Sequence, residues 1–292
     1  MIAEAVEAEA RHTFPGAIAT ASSGRRARWR HRVSAFLAPA SRLGDNANMD
    51  LIRIKYIFRW PDAGEDSYEL ALDGTTLDIV SPRPGEIPQW AMLDFNKCPS
   101  CPLDARSSPH CPLALALVSL NSSFAHLASY EKVHVAVVTV ERTTMKDTTA
   151  QQAISSLMGL IGPCSGCPHT RFFKPMARFH QPFATGLETI YRASSMYMLA
   201  QYFLKSDGKE ADSGLAGLND IYRSLHEVNT HCAMRLRHGA SGDSTVNAVV
   251  LLDMFAKSMP YAIEDSLEEL GHLFLPFLCE PTRSARDVAG QI

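Results

Sequence analysis

Hydrophobic and polar residues alternate in the segment LIRIKYIFRW, which follows Met49. This period of two is typical of a β-strand with one buried face. The valine-rich segment at 133–140 predicts a second, more central strand of the same sheet. Between them, residues 67–80 contain the pair Asp73-Gly74, which suits a tight turn and predicts a hairpin. The alternating apolar residues of the first strand are Ile52, Ile54, Tyr56, Phe58 and Trp60.

Helical spacing of apolar residues begins in PLALALVSLNSSFAHLA, where Pro112 suits the first turn of a helix. From about residue 148 the helical period continues towards the C-terminus. Thr185 and Glu188 have the spacing of a capping box, which predicts a helix running through MYMLAQYF. The order of elements predicts an α+β fold, in which an N-terminal antiparallel sheet with a packed helix precedes a helical bundle. Two further helices are expected near 244–258 and 260–275.

The first 48 residues differ from the rest because they lack a sustained period of 2 or 3.6. They carry seven basic and four acidic side chains, a formal charge of +3, against −6 for residues 49–292. We interpret 1–48 as a disordered basic tail or as translated sequence upstream of a true start at Met49. The remaining predicted regions are the sheet with a cysteine metal knuckle at 49–147, the helical bundle sharing the metal site at 148–280, and a C-terminal tail at 281–292.

Net charge, apolar runs and cysteine content indicate which partners and which cellular location to expect. A net charge of −3 in 292 residues makes nucleic acid an unlikely partner and leaves a protein partner open. No uninterrupted apolar run reaches the roughly 18 to 20 residues that a bilayer requires, and no export signal follows the N-terminus. We therefore expect a cytoplasmic protein without a membrane span. In that reducing compartment seven cysteines favour metal ligands or reactive thiols over disulfides.

Three cysteines followed by proline lie in FNKCPSCPLDARSSPHCPLALA. Cys98 and Cys101 have the C-x2-C spacing that lets two thiolates bind one ion. Cys111 lies at the predicted N-cap of the helix that begins at Pro112, where the helix dipole favours a thiolate. A fourth ligand is expected from LIGPCSGCPHTRFF, which offers Cys164 and Cys167. The alternative is that all of these are ordinary buried cysteines, which is our interpretation of the isolated Cys232 and Cys279.

Several sequence blocks resemble the signature of an uncharacterised bacterial domain-of-unknown-function family. The blocks are CPSCPL, PHCPLALAL, SGCPHT, KPMARFHQPFA and SMYMLAQYF, and the resemblance runs from about Met49 to about Leu278. It implies no activity. It does imply a ligand set, because the position of Cys164 tends to hold another residue in that family. The implied metal ligands are Cys98, Cys101, Cys111 and Cys167.

Zinc is the expected ion, because it takes four thiolates in a tetrahedron and needs no redox chemistry. A four-iron, four-sulfur cluster is the alternative, since it also takes four cysteines and the repeated Cys-Pro step resembles that of ferredoxins. Four thiolates leave an excess of negative charge at either centre. Cations of the flanking turns that could offset it are Lys97, Arg106, Arg171 and Lys174.

Arg178 and His180 lie in KPMARFHQPFA, between two prolines, in what we expect to be an ordered, non-helical segment that could place both in one cleft. His180 could act as a base, a ligand or a partner of a cysteine, or it could be a satisfied core histidine. The same alternatives apply to His110 and His169, which neighbour the candidate ligands. Whether the protein is an enzyme stays open: it is either a non-catalytic zinc module or a metalloprotein with chemistry near Arg178 and His180.

Overall fold

The structure is a computed structural model that describes residues 50–61, 64–80 and 85–278. The predicted tails at 1–48 and 281–292, together with Cys279, lie outside the described residues. The strands are β1 (Leu51–Trp60), β2 (Gly64–Asp73), β3 (Lys132–Val138) and β4 (Thr143–Thr149). The α-helices are α1 (Pro112–Phe124), α2 (Ala150–Cys164), α3 (Lys174–Arg178), α4 (Gly186–Ser206), α5 (Ala216–Leu236), α6 (Ser244–Leu270) and α7 (Leu275–Leu278), with 3-10 turns at Gln89–Ala91, Arg171–Phe173 and Gly271–Phe274.

The four strands form one antiparallel sheet in the order β2-β1-β3-β4, so the mixed α+β class is confirmed. Strand β1 buries four of the five predicted alternate side chains and partly buries the fifth, Ile52, because a half-covered sheet hides every second residue. Helix α1 lies on that covered face, where the Phe124 ring centroid is 4.6 Å from that of Phe58. Strand β3 belongs to the same sheet, as the valine-rich pattern predicted, but it is no more central than β1, since both are inner strands.

The predicted hairpin at 67–80 was wrong in its pairing. Residues 64–73 pair along their whole length with β1, and the turn at Asp73 leads only to a single bridge between Leu72 and Ile79. The Asp73 carboxylate accepts hydrogen bonds from the amides of Thr75 and Thr76, which fixes the reversal without a second strand. Strand β4 was not predicted, because its sequence TTMKDTT is polar on both faces at the sheet edge.

Two hydrophobic clusters hold the chain together. The larger one combines side chains of the sheet with those of α1, α2, α5 and α6, so the sheet and the helices share a core. The smaller one lies among α4, α5 and α6. Helix α4 starts at the predicted capping box, in which Thr185 accepts from the Glu188 amide and Glu188 accepts from the Thr185 amide.

The two helices expected at 244–258 and 260–275 are one helix, α6, with Pro260 inside it. Proline in a helix interior removes one backbone hydrogen bond and disfavours the helix. Here Met259 and Ile263 on either side of Pro260 are buried in the smaller cluster, so packing offsets that cost. A corresponding extension occurs in α2, which continues past Gly162-Pro163 to Cys164.

Helix α6 contains the stretch Ser244–Ile263, which is long and apolar enough, with a mean hydropathy of 1.2, to cross a membrane. The core helix of a soluble protein passes the same test, and 39% of this stretch is buried within the structure. The helix packs against α2 and α5. The absence of a membrane span stays a prediction.

Candidate metal centre

The first candidate segment is a tight turn that carries two cysteines. The amide of Cys101 donates to the carbonyl of Cys98 over 3.0 Å, which closes the turn. The Lys97 ammonium donates to the Leu103 carbonyl over 2.6 Å and spans the same loop. Ser100, between the cysteines, donates from its amide and its hydroxyl to Glu227 of α5. The turn is therefore fixed to a helix of the bundle.

Cys111 is the N-cap of α1, as the sequence predicted. Its carbonyl accepts the first helical hydrogen bond, from the Leu115 amide, and its own amide donates to the Ala91 carbonyl over 2.9 Å. The side chain makes no capping hydrogen bond, and Pro112 occupies the first helical position. The thiol is thus left available beside the free amides and the positive dipole end of the helix.

The second cysteine loop separates Cys164 from Cys167. Cys164 is the last residue of α2, and burial raises the pKa of its thiol to about 12. Gly166 has a φ of +87°, which turns the chain sharply between the two cysteines. The Cys167 sulfur accepts hydrogen bonds from the backbone amides of His169 and Thr170, which partly counter the rise that burial causes in its pKa.

One cavity is bordered by the side chains of Cys98, Cys101, Cys111 and Cys167, so the structure brings all four predicted residues together. Cys164 is not among the residues that line it. Burial, together with the charges of Cys111, Cys167 and Cys101, raises the pKa of Cys98 to about 12. In the described part of the chain, no three His, Cys, Asp or Glu side chains have the arrangement of a preformed ion site.

A fifth thiol, that of Cys232 on α5, also lines the cavity. It is buried among core residues, as its apolar surroundings in the sequence predicted, and burial raises its pKa. Its position on the wall was missed, because a lone cysteine on an amphipathic helix gives no metal signal. The cysteines that the structure describes are all free thiols.

Arg235, which sequence reasoning also missed, supplies the cation of the cavity wall. Its side chain is buried, with 3% of the residue exposed, and donates to the carbonyls of Trp90, Met92 and Leu93 over 2.6 to 2.9 Å. Among the residues that the structure describes, it has no carboxylate within ion-pair distance. The available signal was its spacing: Arg235 follows Cys232 by three positions on the buried face of α5.

The four cations proposed from the sequence have other partners or positions. Lys174 binds Asp78 and the Thr76 carbonyl, each over 2.6 Å. Arg171 lies 5.7 Å from the centroid of the Phe172 ring. Lys97 spans the first cysteine turn, Arg106 is exposed, and none of the four lines the cavity.

Polar contacts at the cavity edge join the two cysteine loops to α5. The Ser100 hydroxyl lies 3.4 Å from Nε2 of His169, which also lines the cavity. Burial raises the pKa of Glu227, but hydrogen bonds from Ser100 and the nearby His169 and His231 outweigh it and leave that pKa lowered. His110 forms a backbone bridge with Met92 and does not line the cavity.

Arg178 and His180 have separate surroundings. Arg178 ends the short helix α3, is exposed and lies 5.4 Å from the centroid of the Phe179 ring, so the expected non-helical segment is wrong at this point. Pro175 fits the first turn of that helix. Nε2 of His180 lies 2.6 Å from the hydroxyl of Tyr56, which is also 2.9 Å from the Ser156 hydroxyl. Neither Arg178 nor His180 lines the cysteine cavity.

The fold is an α+β domain in which an antiparallel sheet and helices share one core, and five cysteines line one of its cavities. A family described as a domain of unknown function (DUF6901) matches residues 54–275, and the chain belongs to this family. The resemblance noted from the cysteine blocks is thereby confirmed at the level of an uncharacterised domain family. No curated protein and no solved structure matches the chain significantly.

Proposed function

We propose that this domain is a non-catalytic metal-binding module in which Cys98, Cys101, Cys111 and Cys167 bind one zinc ion. The observation that carries the proposal is that these thiols, from three separate segments of the chain, line a single cavity. The segments are a tight turn, the N-terminus of α1 and the loop after α2. An ion bound there would join the sheet region to the helical region.

The electrostatics of the cavity wall support an anionic centre. A buried guanidinium is costly unless a negative charge compensates it, and Arg235 has three carbonyl acceptors and no ion-pair partner in the described part of the chain. Four thiolates around Zn²⁺ carry a net charge of −2. Such a centre would supply the missing negative charge, and Arg235 would offset half of the excess.

Hydrogen bonds to sulfur give a second line of support. Outer partners of metal ligands commonly orient the ligand and adjust its basicity. The amides of His169 and Thr170 donate to the Cys167 sulfur, and the N-terminus of α1 faces Cys111. The two amides act against the burial that disfavours the Cys167 thiolate, which is the form of the side chain that zinc binds.

A structural role fits these positions better than catalysis. The loops that carry the thiols already contact α5 through Ser100 and Glu227, and the cavity wall includes apolar Leu113 and Val228. Four thiolates fill the tetrahedral coordination of zinc and leave no position for a substrate. Arg178 and His180, the candidates for chemistry, lie away from this wall.

A four-iron, four-sulfur cluster is the second candidate, because it also takes four cysteine thiolates. The cavity has a volume of about 20 Å³, the space of one water molecule, so a cluster would require its wall to widen. Zinc would draw its sulfurs to about 2.3 Å from one point. A cluster would let the same four thiolates stay further apart and would give the protein a redox centre.

Metal analysis of protein purified without oxygen tests both candidates. One zinc per chain with no absorbance at about 400 nm supports the structural module, whereas brown protein with four irons and four sulfides supports the cluster. A protein that contains neither metal, and that binds neither after anaerobic reconstitution, would contradict the proposal.

A further inference from the structure

Helix α4 exposes an apolar stripe that only Ser195 interrupts near its middle. Its buried side, which includes Ile190, Ala193 and Tyr197, packs in the smaller hydrophobic cluster. The opposite side follows spacings of three and four residues, which places its members on one face of the helix. Six large apolar side chains on that face are between 42% and 63% exposed: Leu187, Tyr191, Met198, Leu199, Tyr202 and Phe203.

The area of this stripe suits a protein interface. A large apolar side chain has about 200 Å² to bury, so six of them at half exposure offer about 600 Å². A monomer rarely exposes a patch of this size without a use for it. A stable dimer buries about 800 Å² per partner, so the stripe and its polar borders would be sufficient.

The charges at the ends of α4 indicate the occupant. Glu188 lies near the start of the helix and Lys205 near its end, and both are exposed. In an antiparallel pair of α4 helices with a two-fold axis between Met196 and Tyr197, Glu188 of one copy faces Lys205 of the other. The same axis places Tyr191 opposite Tyr202. The stripe is therefore complementary to itself in charge and in apolar length, as an isologous interface requires.

We propose that the stripe on α4 is the interface of a homodimer, in which α4 packs antiparallel against α4 of a second copy. The exposed small side chain of Ser195, near the axis, lets the two helices approach closely. This interface lies on α4, which contributes no residue to the cysteine cavity, so it stands independently of the metal proposal.

Sedimentation equilibrium of the full chain tests the dimer. The wild-type protein should be dimeric, and Tyr202→Glu should raise the dimer dissociation constant by about 30-fold or more, because a buried aromatic anchor becomes a charge. Tyr130→Glu is the matched control, since Tyr130 is 70% exposed, lies between α1 and β3, and should leave the dimer unchanged. Circular dichroism checks that each variant is folded.

Removing the charges of Glu188 and Lys205 tests the antiparallel geometry. Glu188→Gln keeps an acceptor for the capping box and removes only the charge. Glu188→Gln and Lys205→Gln should each weaken dimerisation by about 2- to 10-fold, and the double variant should be no weaker than either alone. Additive losses would contradict the proposed pairing.

Two outcomes would overturn the dimer. One is a wild-type protein that stays monomeric at about 100 μM, far above the dissociation constants usual for interfaces of this area. The other is a monomeric protein that co-sediments with vesicles of phosphatidylcholine and phosphatidylglycerol and loses this binding in Tyr202→Glu, which would assign the stripe to a membrane surface.

Discussion

The polar cluster around Tyr56 and the cysteine cavity differ in whether their polar groups find hydrogen-bond or charge partners among themselves. At the junction of the sheet and α2, the hydroxyl of Tyr56 contacts both Ser156 and His180, and the Ser156 hydroxyl also accepts the Phe183 amide. Burial and the nearby Arg192 hold the pKa of His180 at about 4, so its ring is neutral at pH 7. This cluster is complete as a set of neutral, hydrogen-bonded groups and needs no ligand.

The cysteine cavity is different, because thiols line it beside Arg235, which has no carboxylate within ion-pair distance in the described part of the chain. Thiols are weak hydrogen-bond partners, and Arg235 brings a positive charge to the same wall. Burial alone therefore does not identify a binding site. What distinguishes the cavity from the Tyr56 cluster is an imbalance that an anionic metal–thiolate centre would remove.

Metal removal should lower the stability of the protein more than any other change, and it should act on the cysteine cavity and not on the Tyr56 cluster. Stripping the ion with a chelator should lower the free energy of unfolding by more than about 3 kcal/mol, although by less than the roughly 10 kcal/mol of small zinc domains, because this protein has its own core. Chemical denaturation with and without metal measures the difference. Equal stability of the two forms, with metal shown to be bound in one, would remove the structural role.

Arg235→Met should reduce metal affinity by about 10- to 100-fold, since it removes the cation that offsets the thiolates and frees the three carbonyls that it holds. Competition with a chromophoric chelator measures the affinity. Arg237→Met, an exposed neighbour at the end of the same helix, is the control and should bind metal normally. An unchanged affinity in Arg235→Met would show that the cation does not act on the centre.

His180→Ala should lower the free energy of unfolding by about 1 to 3 kcal/mol, because it leaves the buried Tyr56 hydroxyl with fewer partners. Its metal content should equal that of the wild type, since His180 lies outside the cavity wall. Thermal unfolding and metal analysis on the same sample test both statements. Loss of metal in a folded variant would instead make His180 a ligand.

A smaller effect is expected in the pH dependence of stability. The pKa of His180 is lowered to about 4 in the folded protein from 6.5 in the unfolded chain, so the unfolded state binds the proton more readily between these values. Stability from this group is therefore present above pH 6.5 and declines as the pH falls towards 4. Subtracting the profile of His180→Ala from that of the wild type should isolate this slope, and parallel profiles would contradict the assigned burial.

Local patterns in the sequence predicted the elements that depend on local chemistry. Strand β1, the start of α1 at Cys111 and the capping box of α4 each have a short signal that tertiary packing did not override. Strand β4 lacked such a signal, because its hydrogen bonds to β3 and not its side chains define it. Pro260 predicted a helix boundary that does not exist, since packing around α6 outweighs the cost of a proline inside the helix.

The sequence predicted the candidate site only in part, because some of its residues are brought together by tertiary packing alone. Spacing and the family resemblance selected four of the five cysteines that line the cavity, whereas the cations proposed beside them were chosen by sequence proximity alone. Arg235 lies far from the cysteine loops in sequence and reaches them through the packing of α5 against the Trp90 segment. A charge on the buried face of a helix is the pattern that would have identified it.

Whether four particular thiols bind one ion is tested most simply by the metal content of Cys167→Ser beside that of Cys164→Ser. The two cysteines are three residues apart, Cys164 at the end of α2 and Cys167 in the loop that follows, but only Cys167 borders the cavity. Metal per chain should fall to near zero in Cys167→Ser and stay at the wild-type level in Cys164→Ser. Retained metal in Cys167→Ser together with loss in Cys164→Ser would contradict the ligand set.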